Sequence, residues 1–541
     1  MTAIAVSKSP VVPPCTAVGF ADGASPCAPS DRKWILVATI LGSSLAFMDG
    51  SVVNVSLPTL QASFHATSGS IQWVTQAYAL FSASLLLLGG AIGDRYGRRR
   101  TFLWGIVIFT LASSACAFSV SLTQLISARA VQGVGAALLI PQGLSILSSA
   151  FDSSGRGRAI GAWSAWTSVF SALGPIAGGW LTQVWSWRLI FLMNLPIALA
   201  VIVLAPRIPE SRAVHTGEPA PPLDRLGAIL ATSAFAAITY ALSFAPEFGW
   251  ESPRVLYLFV GGLALLTAFI WSQAGRTNAV MPLGFFRNPR FLAANLLTFL
   301  IYGALSGALY VTPFYLIQVR HYTPATAGAV FLPLIALMFA FSSRVGDLVP
   351  RVSERTLLSV GAILSGAGFV AFVLFDRQPG YAFSMLPGVL LLGVGITCLV
   401  APLTNAVMSS VPETATGIAS AVNNALSRFA ALLAVSLLSL VLAHGFQASL
   451  NAQLRRSGLP PGAREQLVAN QSHQHDTPVP TGLTAAQHDE TVALLDRAFL
   501  SGFRLVMFAC AAASWAGALG VMLLLPGEPR SSRGYEQEQT L

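Results

Sequence analysis

Apolar runs of roughly 18 to 25 residues recur along nearly the whole chain, and each is long enough to span a ~30 Å hydrocarbon core. No water reaches that core to satisfy a stray backbone N–H or C=O, so such runs fold as helices. Read between breakers, they predict fourteen: 34–56, 71–92, 101–120, 122–148, 158–182, 188–206, 224–245, 255–273, 291–317, 324–343, 355–375, 383–409, 414–443 and 500–525. Of the 541 residues, 54% are hydrophobic and only 10% charged, with a mean hydropathy of +0.66. A soluble chain carries about a quarter charged residues. The expected fold class is an all-α polytopic membrane protein, and its first partner is the lipid bilayer.

The net charge of +9 invites a nucleic-acid reading, but the placement of the charge argues against one. Arginines gather in alternate loops: Arg95, Arg98, Arg99 and Arg100; Arg156 and Arg158; Arg207, Arg212 and Arg225; Arg276, Arg287 and Arg290; Arg344, Arg351 and Arg355. The opposite short loops carry only Arg188, Arg254, Arg320 and Arg377. Basic residues concentrate on the cytoplasmic side of membrane proteins, which puts both termini in the cytoplasm. Lys8 and Lys33 are the only lysines. Such Arg-heavy usage points to a GC-rich genome, so the expected location is the inner (cytoplasmic) membrane of a bacterium. Cys15, Cys27, Cys116, Cys398 and Cys510 are odd in number and unpaired in spacing. They imply neither a disulfide framework nor a metal site, and no cofactor is expected.

Residues 1–33 read as a disordered cytoplasmic tail, since they lack the basic-then-apolar layout of a signal peptide. The second and tenth helices both end in Gly-Asp with arginine following: GDRYGRRR (Gly93 to Arg100) and GDLVPR (Gly346 to Arg351). This weak repeat falls at corresponding places in two six-helix bundles, 34–206 and 274–525. A linker and two inserted helices, 207–273, separate them. Parallel halves of that kind mark transporters. The one long loop, 444–499, is expected on the outer side, with an amphipathic helix from Thr484 to Phe499 leading into the last span. Residues 526–541 form a second cytoplasmic tail.

Asp49 is the one carboxylate expected deep inside a membrane helix, in LAFMDGSVVNVSLP (Leu45 to Pro58). An ionised Asp at that depth costs at least ~2.5 kcal/mol. Protonation removes most of this cost, which makes Asp49 a candidate proton site. Arg129 is the second unusual charge. Counted from the outer ends of their helices, both lie about seven to eight residues deep, roughly 10 to 12 Å at ~1.5 Å per residue. The shared depth permits a pair in which Arg129 favours the ionised acid. A purely structural ion pair is the alternative, and pH dependence separates the two.

Five segments agree in order and spacing with the motifs of one family. They are MDGSVVNVSLP (Met48 to Pro58), GAIGDRYGRR (Gly90 to Arg99), RAVQGVG (Arg129 to Gly135), GPIAGG (Gly174 to Gly179) and WRLIFLMNLP (Trp187 to Pro196). On these residues the chain resembles the major facilitator superfamily, specifically its fourteen-helix drug:proton antiporter branch, over nearly the whole membrane region. The resemblance implies a coupling role for Arg129 beside Asp49. It also implies a conformational latch at Gly90, Asp94, Arg95, Gly97 and Arg98, and an antiporter-type helix carrying Gly174, Pro175, Gly178 and Gly179. Physically, Asp94 at a helix end suits a nearby Arg or another helix's N-terminus. The alternative is a basic loop that only fixes topology. The glycines and proline of the fifth helix permit close packing and a kink. Family members often carry Gly a few residues earlier, where this chain has Ser171.

Arg428 sits near the middle of the thirteenth helix, on one face with Asn424. It either lines a central cavity facing polar or anionic parts of a substrate, or binds backbone carbonyls, or reaches the cytoplasmic interface. Ala430 and Ala431 stand where the family often has glycine. Asn54, Gln76, Tyr78, Gln132, Tyr302 and Tyr310 complete the candidate substrate cavity. His473, His475 and Asp476 in the outer loop read as solvated rather than metal-binding.

The expected function is secondary-active export: protons enter as a lipophilic small molecule leaves, by alternating access, with a monomer sufficient. A uniporter or symporter of a small organic solute is disfavoured by the fifth-helix motif. An ATP-driven pump needs a phosphate-binding loop ending in Lys, and neither lysine sits in one. An enzyme or receptor needs a constellation that the one sizeable extramembrane segment lacks. Asp49, Arg129 and Arg428 sum to a net positive set. This leans the substrate toward neutral or anionic lipophiles such as antibiotics or other natural products.

Overall fold

The computed structural model describes residues 29–151, 153–208, 210, 224–274, 281, 283–348, 352–376, 378, 380–411 and 416–525. No strand occurs among them. The expected tails therefore lie outside the described residues, except that 29–33 already belong to the first helix. The chain begins with α1 (Pro29–Phe64), α2 (Ser68–Ile71), α3 (Trp73–Ser84), α4 (Leu86–Tyr96), α5 (Arg98–Ala117) and α6 (Leu122–Ala150). It continues through α7 (Ser153–Val184), α8 (Leu189–Leu192), α9 (Asn194–Leu204), α10 (Arg225–Phe248) and α11 (Pro253–Gln273). Then come α12 (Pro289–Phe314), α13 (Pro324–Ala329), α14 (Leu332–Leu348), α15 (Glu354–Leu374), α16 (Gly380–Ser384) and α17 (Leu386–Met408). The last are α18 (Thr416–Leu454), α19 (Pro461–Ala469) and α20 (Ala485–Leu524).

Twelve helices among the described residues are long and apolar enough to cross a membrane. The other two predicted spans are helical but fall short of that measure. The second divides at Leu85 into α3 and α4, of 12 and 11 residues. α7 has 32 residues, but its serines, threonines and glycines dilute its hydropathy. Two helices outrun their apolar stretches. α18 continues to Leu454, and α20 starts at Ala485, where Thr484 and Gln487 cap each other's backbone N–H groups. The loop expected at 444–499 thus narrows to 455–484: α18 runs past its apolar stretch on amphipathic turns, and the helix expected from Thr484 is continuous with the last span.

In lipid, helices associate through close van der Waals packing more than through burial of apolar surface, so small residues sit where they cross. α5 meets α6 in this way: a Cβ added to Gly105 would lie 2.8 Å from Leu139, and one on Gly135 would lie 2.6 Å from the Phe109 nitrogen. α15 meets α17 by the same device: a Cβ added to Gly361 would lie 2.8 Å from the Gly395 carbonyl oxygen, and one on Gly368 would lie 2.8 Å from the Leu392 nitrogen. α5 follows the first Gly-Asp motif and α15 the second, so the same packing recurs just after each copy, once in the group α1–α9 and again in the group α12–α20. α10 and α11 lean on the outside of the bundle. Phe235 of α10 stacks on Phe429 of α18 with centroids 4.0 Å apart, whereas Tyr257 and Trp271 of α11 face outward.

One end of the bundle, the arginine end, carries Gly97, Arg207, Asp224 and Ser353. The chain reverses from α4 into α5 on Gly97 alone, at φ 110°, a conformation that an L side chain resists. The other end, the loop end, carries 455–484. From there Gln61 of α1 donates to the His473 carbonyl at 3.4 Å.

Candidate functional site

Asp49 lies inside α1 with no exposure, and Arg129 of α6 is 1% exposed. The two form an ion pair through Arg129 Nη1 and Asp49 Oδ2. Gln132, one turn after Arg129, donates from Nε2 to Asp49 Oδ1 at 2.9 Å and accepts from Arg129 Nη1 at 2.7 Å. Arg129 Nε donates to the Val74 carbonyl of α3 at 2.9 Å. The guanidinium lies 4.4 Å from the Tyr78 ring centre, within cation–π range. Tyr78 is itself fixed by donating its hydroxyl to the Ala46 carbonyl at 2.8 Å. Asn194 Nδ2 of α9 donates to Asp49 Oδ1 at 3.3 Å and to Ser113 Oγ at 3.0 Å. α6 and α9 thus bind the carboxylate of α1 directly, while α3 and α5 hold Arg129 and Asn194 in turn.

This arrangement is neutral only as a pair. Removing one charge from a buried pair and leaving the other unpaired destabilises by about 3–5 kcal/mol. A proton on Asp49 therefore cannot leave Arg129 as it is.

The other candidates divide by location. Gln132 and Tyr78 belong to the Asp49–Arg129 cluster. Gln76 links elements: it donates to Gln72 Oε1 at 3.1 Å and Ser436 Oγ at 2.8 Å, and accepts from Ser243 at 3.3 Å. Arg428 of α18 reaches across the two groups, donating to Ser82 Oγ of α3 at 3.5 Å with Phe47 of α1 nearby. It has no carboxylate partner among the described residues. Asn424 is exposed and donates to its own helix at the Ser420 carbonyl, 3.0 Å away. Its neighbour Asn423 instead joins α18 to α12, through Asn295 and Thr298. Tyr310 is buried, Tyr302 is 37% exposed and Asn54 is half-buried.

In the loop motif, a Cβ added to Gly90 would lie 3.8 Å from Pro141 Cβ, and Arg98 Nη1 donates to the Ser145 carbonyl at 3.4 Å, so both residues face α6. Arg95 is exposed. The Asp94 side chain and residues 349–351 of the second Gly-Asp motif lie outside the described residues. The fifth-helix motif faces two neighbours. Gly174 and Gly178 lie against Met48 and Val52 of α1, and Ser51 donates to the Ser171 carbonyl at 2.7 Å. Gly179 lies on the backbone of Pro324 and Ala325, while Gly328 of α13 lies on that of Pro175 and Ile176. At this loop-end seam the two groups touch backbone to backbone.

Sequence reasoning quoted the WRLIFLMNLP segment but did not single out Asn194. A lone Asn in that apolar run was the available signal. It also missed Asp376 after α15, 4% exposed, whose Oδ2 receives Arg504 Nε at 3.0 Å and Nη2 at 2.7 Å. No group of three or more His, Cys, Asp or Glu gathers to hold a metal among the described residues.

Residues 39–435 match the family described as Major Facilitator Superfamily. Multidrug resistance protein Stp of Mycobacterium tuberculosis is 31% identical over 88% of this chain and 89% of its own length. The tetracenomycin C resistance and export protein of Streptomyces glaucescens is 28% identical over 92% of this chain and 93% of its own. Among solved structures, a bacterial homologue of the human lysosomal transporter Spinster, inward-facing and unoccupied, aligns with a TM-score of 0.64. It shares 18% identity, over 92% of this chain and 97% of that one. The chain belongs to the Major Facilitator Superfamily, and with it is a multi-pass membrane transporter rather than an enzyme.

Proposed function

We propose that the protein exports lipophilic drugs, antibiotics or natural products in exchange for protons, by alternating access. The observation that carries this reading is the fully buried Asp49–Arg129 pair in a chain whose relatives are named for drug resistance and export. The arginine distribution supports the arginine end as cytoplasmic. The tight seam at the loop end then belongs with a state open to the cytoplasm. In that state ionised Asp49, held by Arg129, awaits substrate. After substrate leaves on the outer side, a proton neutralises Asp49 and Arg129 must find other partners, which biases the bundle back. The membrane potential supplies about 2.3 kcal/mol per proton per 100 mV. Asp94 and its arginines would latch the alternate state. Arg428, between the groups, would meet a neutral or anionic substrate. One chain supplies both groups, so a monomer suffices.

The test is reconstitution in proteoliposomes with an imposed pH gradient, and a panel of cationic, neutral and anionic lipophiles. Proton release on adding some compound, lost in Asp49→Asn, is the expected result and identifies the preferred charge class. Release that survives the substitution would move the proton site elsewhere. No release from any compound, in protein shown to be folded, would favour uniport or a role other than transport.

A further inference from the structure

Every group hydrogen-bonded to the Asp49 carboxylate is a donor: Arg129 Nη1 on Oδ2, Gln132 Nε2 and Asn194 Nδ2 on Oδ1. That suits a carboxylate, which only accepts. It does not suit a neutral acid, whose O–H needs an acceptor. If Asp49 takes up the exchanged proton, as proposed above, one of these partners must turn. Arg129 has no acceptor to offer. Gln132 has one, but its Oε1 is already held by Arg129 Nη1 at 2.7 Å and faces Cys116 Sγ at 3.7 Å. Asn194 differs. Its side chain is fully buried, and its Oδ1 has no hydrogen-bond partner among the described residues.

We propose that Asn194 is a positioning residue that turns with the charge of Asp49. Its Nδ2 donates to the carboxylate, and its Oδ1 accepts from the protonated acid. The two ends of an amide are nearly equal in size, so half a turn about the terminal side-chain bond exchanges donor for acceptor within the same volume. Ser113 permits the exchange because its hydroxyl, which now accepts from Asn194 and donates to the Phe191 carbonyl at 2.8 Å, can do either. The ionised carboxylate selects the present orientation, and the unpartnered Oδ1 is what that orientation leaves over. Asn194 also opens α9, directly after the break that separates it from α8. Its turn therefore occurs where the sixth span is already interrupted. The titratable groups facing Asp49 are Arg129 from α6, Tyr78 from α3 and Cys116 from α5, with Arg428 of α18 beside Phe47. Among the described residues, α8 and α9 bring only the uncharged Phe191 and Asn194 toward the pair.

The experiment is infrared difference spectroscopy of the reconstituted full chain, titrated with pH. Asp49→Asn identifies the carboxyl stretch of protonated Asp49 by its disappearance. Asn194→Val and Asn194→Thr then differ from each other by little more than one hydroxyl. The stretch should move to higher frequency in Asn194→Val, where the acid loses its acceptor, and stay near the wild-type position in Asn194→Thr. Wild-type protein with labelled asparagine carbonyls gives a readout that does not depend on any variant folding. One amide carbonyl band should shift at the same pH midpoint as the carboxyl band, and this shift should be absent in Asp49→Asn. An unmoved stretch in Asn194→Val, or no coupled amide band in labelled wild-type protein, would overturn the proposal by leaving Asn194 a fixed donor. If Asp49→Asn removes no carboxyl band at all, it is the reading of Asp49 as the proton site that fails.

Discussion

Asp376 and Arg504 form a second carboxylate–guanidinium pair, and set beside Asp49 and Arg129 they differ in surroundings rather than chemistry. Both acids are buried, but the Arg504 side chain is 30% exposed and that of Arg129 is 1% exposed. Arg504 gives Nε and Nη2 to one carboxylate oxygen, while Arg320 binds the Asp376 backbone carbonyl. If Asp376 loses its charge, Arg504 still reaches solvent at the loop end. If Asp49 loses its charge, Arg129 has only a carbonyl, an amide oxygen and two aromatic faces. One pair is a clasp and the other is suited to a switch. What separates them is the solvent access of the partner that keeps its charge.

The sharpest break of this comparison is Asp49→Asn, for which we expect complete loss of proton-driven exchange and a lowered melting temperature. Adding Arg129→Gln should restore the melting temperature without restoring exchange, since the unpaired charge is gone but so is the proton site. Next in size is Gly179→Val, which places a side chain on the Pro324–Ala325 backbone. Overpacking of ~1–3 kcal/mol should shift the population from the closed seam by roughly tenfold. Cysteine accessibility at the loop end would report it, and unaltered accessibility would remove the seam from the account. Asp376→Asn should lower the melting temperature by less than Asp49→Asn does, since Arg504 keeps access to solvent, with the pH profile of exchange unchanged. A shifted profile would erase the distinction between the pairs. Trp271→Leu, on the lipid-facing side of α11, should leave flux and melting temperature unchanged and supplies the baseline for the rest.

Much of this molecule was legible in the sequence because lipid leaves few choices. Apolar length marks spans, and an acid inside one is conspicuous, so Asp49 and Arg129 stood out and their shared depth anticipated a pair. What was not legible depends on which helices become neighbours. Gln132 and Tyr78 read as cavity residues, yet they hold Arg129, because nothing in their own segments tells which face meets α1. Asn194 matters through Ser113 and Asp49, which lie 81 and 145 residues away. The end of α18 escaped for a different reason. Its outer turns are amphipathic, so hydropathy stops reading them as helix while the backbone continues to Leu454, whereas the amphipathic pattern from Thr484 did announce the start of α20.

The seam between α7 and α13 has a consequence for how such a protein is dissected. Gly179 and Gly328 already present bare backbone, so a scan that works by trimming side chains has nothing there to trim and passes over the contact in silence. Sensitivity at those two positions is one-sided: every change that registers must add atoms. A map of tolerated truncations would leave them blank, and the blank would be a property of the method.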